Sequence, residues 1–134
     1  MNISYYDFHD GYLIDIKHIE NKIEMFMESA QIHPDDMKDN LVLSKHETLK
    51  GKLHIENIKE IKVNDKPLVG PFKKTHDEGD IYDFELSENK VSLTINWIDH
   101  PAKPIETGKW CTYEIMAEKI YWENIPDLYN PYWP

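Results

Sequence analysis

Arginine is absent from this 134-residue chain, and all fifteen basic side chains are lysine. A lysine-rich composition is the plain source of that absence, but it has a chemical consequence. Arginine dominates planar, two-pronged recognition of phosphates and base edges. With 25 acids against 15 bases the formal net charge is −10, which repels nucleic acid and anionic membrane alike. Both are therefore excluded as expected partners. Cysteine is almost missing too: Cys111 stands alone, so no intrachain disulfide is possible. It lies between Trp110 and Thr112 in an alternating run, with no cation or helix start beside it to activate a thiolate, and reads as a buried thiol.

No apolar stretch approaches the roughly 20 residues needed to span a bilayer. The opening Met1–Asp7 has neither a basic region nor an apolar one, so the expectation is a cytoplasmic protein. G-x-S-x-G, P-loop and G-x-G-x-x-G patterns are all absent. The seven histidines (His9, His18, His33, His46, His54, His76 and His100) show neither the i,i+4 pairing nor the cysteine spacing of a zinc site. Asp77-Glu-Gly-Asp80 is too short for a calcium loop of the EF-hand type. No metal or cofactor is implied.

What the chain does have is alternation. Ile81–Leu86 and Val91–Trp97 each switch between apolar and polar residues around the polar connector Ser87–Lys90, the pattern of an antiparallel hairpin. Tyr12–Ile19 and Lys22–Ser29 repeat it around Glu20-Asn21, with Ile14, Ile16 and His18 on one face of the first strand and Leu13 on the other. Leu49–Glu56 and Ile58–Val63 read as strands interrupted at Asn57, and Asn64-Asp65 reads as a turn. Trp110–Met116 and Ile120–Trp122 read as strands around a turn at Ala117–Lys119. His33-Pro34-Asp35-Asp36 suits a helix start or a turn, but too few residues follow it for more than one helical turn. The expected fold is a mainly β domain over 1–134, an antiparallel sandwich or partly closed barrel of about seven to nine short strands with little helix. Residues 123–134, rich in proline and aromatics, form a tail packed on it.

Two places carry candidate chemistry. Between Thr75 and Asn89 there are six acids and no lysine, whereas residues 31–70 hold seven of each. A solvated strand face explains such a run, and a docking patch for a basic partner is the sharper reading. Phe8-His9-Asp10-Gly11 is the other. Imidazole beside carboxylate can move protons or hold a metal. The structural reading is an Asx-type turn at Asp10 with Gly11 in a relaxed backbone region. Aromatics concentrate late in the chain, including Trp97, Trp110, Trp122, Tyr129, Tyr132 and Trp133. Those in the tail fold back or offer a contact surface.

The Phe8-His9-Asp10-Gly11 opening before a strand, and the closing Glu118–Ile125 segment, resemble small bacterial β-rich proteins with an F-H-D-x start. Some of these are grouped with immunity proteins of toxin systems. The resemblance implies binding of a cognate toxin.

The leading expectation is a non-enzymatic protein-binding module that occludes a partner protein of basic character. Its contact residues are Asp77, Glu78, Asp80, Tyr82, Asp83 and Glu85, joined by Tyr132 and Trp133. The first alternative is a hydrolase or metal-dependent enzyme with His9, Asp10 and His100 in one pocket. The second is a carbohydrate or small-ligand module using Trp97, Trp110 or Trp133 as a platform. Self-association through an uncovered strand edge is left open.

Overall fold

The computed structural model describes residues 8–33, 41–98 and 109–128. Its strands are β1 (Tyr12–Ile19), β2 (Lys22–Gln31), β3 (Thr48–Val63), β4 (Lys66–Pro67), β5 (Glu78–Leu86), β6 (Lys90–Ile98) and β7 (Lys109–Asn124). Every pairing is antiparallel, in the order β2-β1-β5-β6-β7-β3-β4, and β2 also pairs with β3. Six strands therefore form a sheet close to a closed ring, with the stub β4 lying outside on β3. Between sandwich and barrel, the barrel is what forms, and no helix occurs among the described residues. Closure pairs both edges of most strands in the ring.

The ring consists of two three-stranded meanders, β1-β2-β3 and β5-β6-β7. One seam between them is long, with β3 and β7 in register from Gly51 opposite Asn124 to Val63 opposite Tyr113. The other is short: β1 and β5 share only Tyr12 opposite Asp80 and Leu13 opposite Gly79.

The tight turns fall at the expected positions. Ile19 pairs with Lys22 across Glu20-Asn21, and Leu86 pairs with Val91 across residues 87–90. Val63 pairs with Lys66 across Asn64-Asp65, whose φ values of 51° and 67° suit a type I′ hairpin.

Three expectations change. Ala117–Lys119 is not a turn; it runs through the middle of β7, which pairs with β6 over 109–116 and with β3 over 113–124. The segment has no glycine, asparagine or proline to oppose that pairing. Asn57 does not end β3 either. It takes a left-handed φ of 55°, and the register slips one residue between Ile58 and Glu60, so the strand bends and continues. In β1 a slip between Leu13 and Asp15 makes Ile14 the extra residue and brings Leu13 to the inner side with Ile16.

Inward positions fill the barrel. Ile23, Met25 and Met27 of β2 meet Leu53 and Ile55 of β3, Leu93, Ile95 and Trp97 of β6, and Cys111, Tyr113 and Ile115 of β7, all buried. Trp97 donates its indole N–H to the Tyr113 hydroxyl at 2.9 Å, and burial raises the Tyr113 phenol above its ordinary range. Cys111 is a buried free thiol, as expected. Toward the far end of β1, Phe72 is buried against Tyr113 and donates its backbone N–H to Nδ1 of His18 at 2.9 Å. His18 is thus a structural acceptor.

The charged side chains face outward around this apolar interior, the reverse of a membrane-spanning barrel with its apolar outer band. Among the described residues no helix is long and apolar enough to cross a membrane.

Candidate functional site: an aromatic and acidic outer face

The short β1–β5 seam is completed by the Phe8–Gly11 turn. Gly11 donates its N–H to the Phe8 carbonyl at 2.8 Å, closing the turn. Asp10 N–H then bonds the Ile81 carbonyl at 2.8 Å, and Ile81 N–H bonds the Gly11 carbonyl at 2.9 Å. Phe8 is fully buried, edge-on to Phe84 at 5.0 Å and tilted against Trp122 at 5.6 Å.

The left-handed residue is Asp10, at φ 66°, and not the glycine, which corrects the expected geometry. Positive φ at the third position of the turn is that of type II. Gly11 is needed for space: a Cβ there would lie 2.4 Å from the Glu28 carbonyl oxygen. So the motif is structural in its outer letters, and it presents its inner two to solvent. His9 and Asp10 are exposed, with Nε2 3.6 Å from Oδ1.

Beside that turn, register aligns four outward residues from four strands. Tyr12 of β1 opposes Asp80 of β5, Asp80 opposes Asn96 of β6, and Asn96 opposes Trp110 of β7. A slip between Ile81 and Asp83 makes Tyr82 an extra, outward residue on β5. Its ring stands perpendicular to that of Trp110 (5.3 Å, 82°) and to that of His9 (5.4 Å, 88°).

Tyr12, Tyr82 and Trp110 remain 42, 58 and 51 % exposed. Asp10, Gly11, Tyr12, Asp80, Ile81, Tyr82, Asn96 and Trp110 enclose a cleft of about 360 Å³. The Asn96 Oδ1 is buried and has no hydrogen-bond partner among the described residues.

The structure thus joins the two candidate sets. His9 and Asp10 from the enzyme alternative border the same face as Asp80 and Tyr82 from the docking reading. Asp83 and Glu85 continue that face along β5, exposed, and Asp77 and Glu78 stand at its start. His100, Tyr132 and Trp133 lie outside the described residues, as does the His33–Asp36 turn signal beyond His33.

Trp97 is no platform, because it is fully buried, and Trp122 is nearly so; Trp110 is the surface indole of the barrel wall. Tyr12 and Asn96 went unnoticed in the sequence. Parity could have found them, since each neighbours a buried residue, Leu13 and Trp97, on its own strand.

A second outward cluster lies on β2, β3 and β7. His54 is 6 % exposed and stacks flat on Tyr121 (4.6 Å, 4°). Its Nε2 donates to Glu123 at 2.7 Å, and its Nδ1 is 3.5 Å from Glu24. The Tyr121 hydroxyl donates to Glu56 at 2.7 Å, and Lys22 lies 3.4 Å from the same carboxylate oxygen. The tyrosine hydrogen bond and Lys22 hold Glu56 below the usual carboxylate range, while the same hydrogen bond raises Tyr121.

No group of three or more His, Cys, Asp or Glu side chains among the described residues is placed to hold a metal ion. No known family, curated protein or solved structure matches the chain.

Proposed function

We propose that this protein is a non-enzymatic binding module that covers a basic surface of a partner protein with the outer face of β1, β5, β6 and β7. The observation that carries the reading is the exposed Tyr12, Tyr82 and Trp110 group set among Asp10, Asp80, Asp83 and Glu85. Tyrosine and tryptophan dominate binding energy at protein interfaces, and a surrounding ring of one charge steers and selects an opposite one. The net charge of −10 acts in the same direction at longer range. An immunity-type role, with a toxin as the covered partner and the cytoplasm as the compartment, is the form that the sequence resemblance implies.

The test compares immobilised wild type with an Asp83→Lys/Glu85→Lys variant as bait for proteins of the source cell at low salt. Support is a basic protein that wild type retains, that salt elutes and that the variant fails to hold. Equal retention by both baits overturns the reading. A second reading, a small-ligand module on Trp110, is favoured by the indole standing beside the polar Asp80–Asn96 floor. A neutral sugar that binds there with no dependence on salt decides for it.

A further inference from the structure

We infer that the cleft between Tyr12, Tyr82 and Trp110 takes the guanidinium of an arginine on the partner protein, an inference that rests on the docking reading above. Tyr12 and Trp110 stand at the two ends of the four-strand row, three strand spacings or roughly 14 Å apart. Asp80 and Asn96 form the floor between them. Tyr82 supplies a further wall at 82° to the Trp110 ring, with the ring centroids 5.3 Å apart.

Two adjoining aromatic walls at right angles favour a cation that approaches either ring within about 6 Å. Carboxylates stand at the floor and rim, from Asp80 and Asp10. Among the described residues that line the cleft none is a lysine.

Guanidinium fits this arrangement better than ammonium does. It is flat, so it stacks on one ring while its forked N–H groups turn to a carboxylate. A lysine ammonium is a compact, strongly hydrated charge that cannot span both. About 360 Å³ accommodates one side-chain head, not a helix or strand. These 134 residues include no arginine, so the occupant comes from outside them.

The experiment follows the Trp110 indole N–H resonance of the full chain by NMR, assigned through Trp110→Phe, while argininamide, lysinamide or lactose is added. A saturable shift with argininamide is expected, about fivefold or more tighter than with lysinamide. Asp80→Asn and, separately, Tyr82→Ala should weaken it about tenfold, with the remaining resonances unmoved to show intact folding. A shift that does not saturate, that lysinamide or lactose matches, or that survives Asp80→Asn overturns the inference.

The two readings fail separately. Salt-sensitive retention of a basic protein with Trp110 indifferent to argininamide overturns the arginine site and leaves the docking face. Argininamide binding with no protein retained overturns the docking face and supports the site.

Discussion

Two outer faces of one barrel carry aromatic side chains in registered rows, and they differ in what surrounds them. On β2, β3 and β7 the row Glu24, His54, Tyr121 is closed upon itself: carboxylates flank the imidazole, Tyr121 donates to Glu56, and Lys119 lies over the Tyr121 ring at 5.0 Å. Lys22 and Lys52 bring cations to Glu56 and Glu24. On β1, β5, β6 and β7 the row Tyr12, Asp80, Asn96, Trp110 has acids beside it and open rings above it. Balanced charge lets a surface satisfy its own polar groups and serve as scaffold. Exposed rings set beside acids favour a complementary partner.

The largest expected effect tests the scaffold face. At Gly51 a Cβ would lie 2.1 Å from the Glu123 carbonyl oxygen, which is backbone and cannot yield. Gly51→Ala should lower the unfolding free energy by about 3 kcal/mol in urea titration. Gly79, beneath the open face, would meet side-chain atoms of Ile95 and Trp97 at 2.8 and 3.0 Å, so Gly79→Ala should cost about half as much. Equal losses would mean that the surroundings of the two glycines are equally rigid.

Next comes loss of one ring from each face. His54→Ala removes the stacking surface of Tyr121 and leaves Glu24 and Glu123 facing each other, for an expected loss of about 2 kcal/mol. Tyr82→Ala should stay within about 0.5 kcal/mol, because that side chain is largely exposed. Comparable losses at the two positions would erase the distinction between scaffold and docking face.

Single charge reversal is smaller still. Asp83→Lys should leave the unfolding midpoint unchanged and weaken partner binding about tenfold at low salt, less at high salt. An effect independent of salt would point to packing instead of charge.

The smallest effect is a pH dependence on the balanced face. The folded value of Glu56 is depressed, so its contribution is present above about pH 4.5 and fades as pH falls through the folded value. Tyr121 is raised, so its contribution is present below pH 10 and fades as pH climbs through the folded value. The stability gap between wild type and Tyr121→Phe should therefore be flat between these limits and shrink on both sides. A gap that does not vary with pH would deny the Tyr121–Glu56 bond.

Much of the fold was legible because alternation and turn chemistry are local. Tyr12–Ile19 was read with its observed limits, and the turns at Glu20-Asn21 and Asn64-Asp65 stand where expected. The errors came where neighbouring strands overrode a local signal, as at Ala117–Lys119 and Asn57. The site was half legible. Asp80 and Tyr82 stand out in the acidic run and His9 and Asp10 in the opening motif, while Tyr12 and Asn96 carry no motif.

From its residues alone, this chain was bound to be an acidic β protein, without disulfide or arginine chemistry, and with a burial pattern set strand by strand. Side-chain parity along extended backbone is a property of two adjacent residues, and any reader of the chain has both. Which parities face one another is a property of strands far apart in sequence. Closure of the ring through β1–β5 and β3–β7, and the one-residue slips at Ile14 and Tyr82, placed Tyr12, Asp80, Asn96 and Trp110 in one row. A register set by long-range pairing is written in no single segment, so the cleft belongs to the tertiary structure.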